Sequence, residues 1–138
     1  MNAEPDTGPR RESKEAFENR MLRWAGTFFI FSLGVLHLLH AEEFFSATAY
    51  VGALGLANFA ACCGVALALA RSGGRAAWLP GAAIAAGSLA LFIISRTLGL
   101  PGYEEVAGQW LNFPAWAAIG MELAYLALCA AALRRAAG

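Results

Sequence analysis

The chain has 138 residues, of which 59% are hydrophobic and only 14% charged, with a formal net charge of zero. Soluble domains carry charge on about a quarter of their residues, so the composition points away from a water-soluble fold and toward a lipid bilayer. With no basic patch outside the apolar segments, nucleic-acid binding is not expected.

Residues 1–12, "MNAEPDTGPRRE", combine two prolines, a glycine and mixed charge. Such a composition buries too little apolar surface to order itself, so a flexible polar tail is expected. Ser13 suits an N-cap, and the following "KEAFENRMLRW" sets Phe17, Met21 and Trp24 at i, i+4 and i+7. This spacing predicts an interfacial amphipathic segment over 13–24, before the chain turns into the membrane.

Residues 25–138 form the predicted membrane domain, with apolar spans at approximately 22–41, 45–70, 76–100 and 114–133. Each reaches the roughly 20 residues a helix needs to cross a bilayer core. Their apolarity is continuous rather than alternating, which disfavours a β-barrel. The first is not read as a cleaved signal peptide, because it follows a long mixed-charge region and lacks a small-x-small site. The expected fold is therefore all-α, a four-transmembrane-helix bundle.

Five basic residues precede Trp24, Arg71 and Arg75 lie in the turn between spans two and three, and Arg134 and Arg135 at the end. If the helices alternate, these all fall on one side, and the positive-inside rule makes both termini cytoplasmic. Trp24 and Trp78 are then expected at the inner boundary, Trp110 and Trp116 at the outer. Spans two and three are rich in Ala and Gly, which lets backbones approach closely in lipid and predicts a compact bundle. The outer connection "GLPGYEEVAGQWLNFPAW" ends span three at Pro101, flanked by Gly99 and Gly102. Its remainder reads as a short interfacial segment.

Polar side chains within the spans are few. His37 and His40 end span one, Arg96 lies one turn before the end of span three, and Glu122 lies about two turns into span four, all in the outer half. A charge in a span costs about 2.5 to 3.5 kcal/mol near the centre, so Arg96 and Glu122 are expected to form an intramembrane ion pair. That pair either fixes helix register or serves a site. His37, His40 and, if the helix persists, Glu43 share one ridge. With Glu104, Glu105 or Glu122 they suit a divalent metal such as zinc, or iron or copper in other geometry, and haem is a further candidate. A proton-linked or substrate pocket is another reading. The plainer one leaves His40, Glu42 and Glu43 in headgroup water, with His37 hydrogen-bonded inside the bundle.

Cys62 and Cys63 are adjacent in span two and form a soft-metal candidate for Hg(II) or Cu(I); as small apolar fillers they need no such role. Asn58 is expected to donate a hydrogen bond between helices, and Tyr125, one turn from Glu122, to bond to that carboxyl. No P-loop, GxGxxG or nucleophile-elbow pattern occurs, and no nucleophile and base fall at a telling spacing, so catalysis is the least supported class.

At "SRTLGLPGYEEVAGQW", residues 95–110, the sequence resembles a group of small, largely uncharacterised four-helix bacterial integral membrane proteins, in which a span ends in Ser-Arg-Thr-x-Gly-Leu-Pro. In these the next helix carries an acid matching Glu122, and "HLLHAEEFF" is similar to their first outer boundary. The resemblance touches most of the membrane portion but not the N-terminal tail. It implies a multi-pass protein of a bacterial cytoplasmic (inner) membrane and brings no firm activity.

The functional expectation is a small membrane protein whose outward-facing His/Glu/Arg cluster binds a metal ion or small ligand, or which docks as an accessory subunit on a larger membrane complex. A purely structural scaffold is one alternative. The other is a small ion transporter passing ions from that cluster to Cys62 and Cys63. Beyond the lipid bilayer, the partners in view are such a complex or further copies of the chain.

Overall fold

The computed structural model describes residues 9–111 and 113–137. Its helices are α1 (Pro9–Leu39), α2 (Ala41–Ala47), α3 (Ala49–Arg71), α4 (Arg75–Thr97) and α5 (Phe113–Arg135), with a 3-10 turn at Glu104–Val106. No β-strand occurs among the described residues. Four of these helices, α1, α3, α4 and α5, are long and apolar enough to cross a membrane. The chain is thus a helical bundle of the multi-pass membrane type. A spanning helix satisfies every backbone polar group internally, which hydrocarbon demands.

The spanning helices follow one another around a ring. α1 packs on α3, α3 on α4, α4 on α5, and α5 closes against α1. Successive members run in opposite directions. One end of the bundle therefore holds the α3–α4 turn, the start of α1 and the end of α5 (the terminal end); the other holds α2 and the α4–α5 connection (the α2 end).

Two expectations about the first half of the chain are corrected. Residues 13–24 do not form a separate segment that turns into the membrane, because α1 runs unbroken from Pro9 to Leu39. Ser13 therefore lies inside the helix rather than at its start. At 31 residues α1 is about 46 Å long at 1.5 Å per residue, well beyond a hydrocarbon core of about 30 Å. Phe17, Met21, Trp24, Phe28 and Phe31, at alternating spacings of four and three, are all exposed on it. The expected tail over 1–12 falls outside the described residues up to position 8, and residues 9–12 open α1. Span two also begins later than expected. Thr48 is extended (φ −152°, ψ 147°) and its side chain accepts from the Val51 amide, so it caps α3 and separates the short α2. Phe44 and Phe45 of α2 lie where side chains on Gly55 and Gly52 of α3 would project.

The core is concentrated toward the terminal end. Ile30 and Leu33 of α1, Cys62 and Leu69 of α3, Trp78 and Ala85 of α4, and Tyr125 and Cys129 of α5 are buried together. Trp78 is only 3% exposed, so it is a core residue rather than an interfacial anchor. Its indole N–H donates to the Gly73 carbonyl at 3.1 Å, and its ring centroid lies 5.6 Å from that of Tyr125. Trp24, Trp110 and Trp116 are exposed, as anchors should be. The ring of Trp78 fills the space a side chain on Gly26 would take, and the Tyr125 phenol does the same at Gly81.

That packing predicts a selective glycine effect. Gly81→Ala sets a methyl group against the Tyr125 hydroxyl and should destabilise by about 1–3 kcal/mol, the usual cost of overpacking. Gly64→Ala meets nothing within 4 Å and should be neutral or slightly stabilising, since Ala favours helix. Thermal unfolding in detergent, followed by circular dichroism, separates the two; equal melting temperatures would contradict the packing.

Candidate functional site

Toward the α2 end the ring of helices encloses a cavity of about 500 Å³, within the range of roughly 300–1,000 Å³ typical of small-molecule sites. All four spanning helices line it, and Phe44 and Tyr103 stand at its α2 end. Its side wall is made of small residues, Ala57 and Ala61 on α3 and Ala83 and Gly87 on α4, and all four are exposed. Leu54 and Leu91, also in the lining, are 49% and 39% exposed. The cavity therefore opens sideways between α3 and α4, at the depth of the hydrocarbon. The compact bundle expected from these small residues is loosest where they face each other: α3 and α4 make the sparsest contact of the four neighbouring pairs.

Glu122 sits in the wall, 2% exposed, nine residues into the 23-residue α5 and so near mid-span. Its Oε2 is buried without a hydrogen-bond partner. Ser88 on α4 is the polar side chain that acts on the carboxyl. Tyr125 does not reach it, because its hydroxyl donates instead to the Trp78 carbonyl at 3.2 Å.

The expected Arg96–Glu122 ion pair is not formed. Arg96 Nη1 donates to the Val106 carbonyl at 3.1 Å, and the guanidinium carbon lies 5.2 Å from the Phe92 ring centroid. Among the described residues the ion pair present is Arg135–Glu18, at 3.1 Å. Depth explains the failure. Arg96 is one residue from the end of α4 and Glu122 nine from the start of α5, an axial offset of roughly 12 Å at 1.5 Å per residue. That is beyond an arginine's reach. Arg96 instead binds its own loop, where its carbonyl also accepts from the Gly108 amide at 2.8 Å.

That loop explains the "GLPG" string. Leu98 ends α4 and Gly99, at φ 78°, takes the left-handed position that follows many helix ends. Leu100–Tyr103 then forms a turn closed by a 2.7 Å bond from the Tyr103 amide to the Leu100 carbonyl. Pro101 and Gly102, at φ 73°, hold the two central positions that suit them in a type II turn. Tyr50 at the start of α3 donates to the Pro101 carbonyl at 2.7 Å. The Gly102 amide donates to Glu104 Oε1 at 2.9 Å, which holds that carboxyl below its usual range. Burial, and then nearby Glu43, push the Tyr103 phenol up.

His37 Nδ1 lies 2.9 Å from the Leu33 carbonyl. A carbonyl only accepts, so Nδ1 carries the proton, and Nε2 accepts from Asn58 Nδ2 at 3.1 Å. Asn58 Oδ1 in turn faces the Cys62 thiol at 3.9 Å. The interhelical bond expected of Asn58 is thus made, and it occupies the nitrogen a metal would need. His40 Nδ1 is likewise 2.8 Å from the Leu36 carbonyl. The helix does not persist to Glu43: α1 stops at Leu39, His40 adopts φ −99°, ψ 7°, and Glu43 belongs to α2. Among the described residues no three His, Cys, Asp or Glu side chains are placed to hold a metal. The expected metal cluster is therefore not assembled, although His37, His40, Glu43, Arg96 and Glu122 all line the one cavity.

The cysteine pair lies elsewhere. Cys62 is fully buried in the core and Cys63 partly exposed, as consecutive helical positions about 100° apart require. Neither lines the cavity. Sequence reasoning missed Ser88 and the side opening. A serine amid alanines gives no signal of its own, and small residues read equally well as close packing or as empty space.

Protein-family models, curated proteins and solved structures were compared with the chain, and none matches.

Because Arg96 and Glu122 have separate surroundings, Arg96→Leu and Glu122→Gln should act independently. A double-mutant cycle on thermal stability should give a coupling within about 0.5 kcal/mol, as for sites without shared partners. A coupling of several kcal/mol would restore the ion pair.

Proposed function

We propose that the protein binds a small amphiphilic ligand in this cavity. A hydrogen-bond-donating or cationic head meets Glu122, and the apolar part lies between α3 and α4. The observation that carries this reading is the buried Glu122 carboxyl, with one oxygen unpartnered, in the wall of a cavity lined mostly by apolar side chains. An unmet polar atom in hydrocarbon is costly, and a donor on the occupant removes that cost. His40, Arg96 and Tyr103 add polar edges at the α2 end. The side opening supports entry from the bilayer rather than from water. The basic residues at the terminal end favour an orientation with both termini in the cytoplasm and the α2 end outside, in a bacterial cytoplasmic membrane.

Docking on a larger membrane complex is a second reading. It is favoured by the exposed apolar stripe of α1, which includes Phe17, Met21 and Trp24 on a helix longer than a span.

The probe for the first reading is a dansylated alkylamine with a free ammonium, added to the full chain in detergent. Its emission should rise on binding. Glu122→Gln should weaken binding roughly tenfold or more, since hydrogen bonds to charged groups contribute about 1.5–3 kcal/mol. Gly87→Phe, placed where a side chain meets nothing within 4 Å, should fill the cavity and abolish binding while the protein stays folded. Equal binding of the amine by wild type and both variants would sink the proposal.

A further inference from the structure

A second pocket, of about 390 Å³, lies at the opposite, terminal end. It is walled by the first half of α1, the α3–α4 turn and the last turns of α5. Four arginines line it, Arg20, Arg23, Arg75 and Arg135, and the lining contains no acidic side chain. Of the four, Arg135 is paired with Glu18. Among the described residues Arg20, Arg23 and Arg75 form no ion pair. Arg23 is partly buried, its Nε has no hydrogen-bond partner, and its guanidinium carbon lies 5.9 Å from the Trp24 ring centroid.

The positive-inside rule accounts for basic residues on one side of a membrane, but not for their convergence on one concavity. Nor does it account for a guanidinium nitrogen buried there without an acceptor. Four positive side chains around one space repel each other unless an anion joins them. The acceptor that suits them is tetrahedral and oxygen-rich, because guanidinium presents paired N–H groups that match phosphate oxygens. The surroundings agree. Gly74 caps α4 with no side-chain hydrogen bond, so no side chain satisfies the amides of that first turn, where the helix dipole favours an anion. Leu22, Trp78 and Leu133 give the pocket an apolar side. Its place at the end of the spanning helices puts it at headgroup level whichever way the bundle faces.

We infer that this pocket binds a phosphate group, carried by an anionic lipid headgroup or present as free phosphate, with Arg20, Arg23 and Arg75 as its ligands. The inference is independent of the cavity around Glu122, which lies in the other half of the bundle.

The test uses the full chain in phosphatidylcholine nanodiscs, with or without phosphatidylglycerol. Native mass spectrometry of the released protein should show one phosphatidylglycerol retained in preference to phosphatidylcholine. The double variant Arg20→Gln/Arg75→Gln, both exposed positions, should lower that retention roughly tenfold or more, given the strength of each basic residue near an anionic surface. Its melting temperature should be unchanged. Glu18→Gln, which frees Arg135, should raise retention, and Glu122→Gln should leave it alone. In a parallel arm, inorganic phosphate is titrated into wild type in phosphatidylcholine alone while tryptophan emission is followed, since Trp78 lines the pocket. A saturable response that the double variant lacks identifies free phosphate as the source, whereas lipid retention without it identifies the headgroup. Equal retention of the two lipids with no phosphate response overturns the inference. Retention or a response undiminished in the double variant does the same.

Discussion

The spacing of the helices depends on Trp78 and Tyr125. These two large rings, fully or almost fully buried, lie one against the other where Gly26 and Gly81 leave room for them. Helices in lipid gain no hydrophobic drive toward one another, so their contact rests on packing and on hydrogen bonds between them. Both are concentrated here. The Trp78 carbonyl accepts from the Tyr125 hydroxyl at 3.2 Å and lies 3.8 Å from the Cys129 thiol. This region joins α1, α4 and α5, with Cys62, Val65 and Leu69 of α3 completing the core. Toward the α2 end nothing of that size follows. α3 and α4 present Ala57, Ala61, Ala83 and Gly87, too small to fill the gap that the rings hold open below. The cavity is thus a consequence of large residues at one end and small ones at the other.

The helices and the uneven distribution of charge were legible in the sequence, because hydrocarbon leaves a spanning chain little choice of structure. The rotation of each helix about its axis was not. Residue numbers give depth and spacing along a helix, and these made Trp78 an anchor and Tyr125, one turn from Glu122, its partner. The structure turns both into the core, where they meet each other. Depth also brought His37, His40, Glu43, Arg96 and Glu122 to one half of the bundle, and all five do line one cavity. What depth could not supply was pairing. Arg96 finds the Val106 carbonyl ten residues along its own chain before any side chain of α5, because the left-handed turn at Gly99 folds the loop back over the helix end.

The histidines show how local bonds settle a role that spacing leaves open. An HxxH ridge suits a metal only while one nitrogen of each ring is free, the other being held by a carbonyl or carboxylate. In each ring Nδ1 is taken by the carbonyl four residues earlier, a bond available to any histidine in a helix with the right rotamer. The further bond from Asn58 to His37 then ties α1 to α3 at the edge of the cavity. His37 becomes part of the frame of the site. The histidine whose second nitrogen has no such tie is His40, at the break between α1 and α2.

Glu122 separates a binding role from a scaffolding one. A carboxyl that serves only to hold helices in register stabilises them through a partner, since an unpaired buried charge costs more than the pairing returns. Here the nearest cation in the sequence pattern, Arg96, is engaged by the α4–α5 loop, and the side chain of α4 that acts on the carboxyl is the neutral Ser88. The bundle leaves Oε2 without a hydrogen-bond partner in the wall of a space large enough for a molecule. Filling that space with leucines would give a tighter bundle without the desolvation cost. Holding helices together does not require this arrangement, whereas the proposed ligand would supply the donor that the bundle lacks.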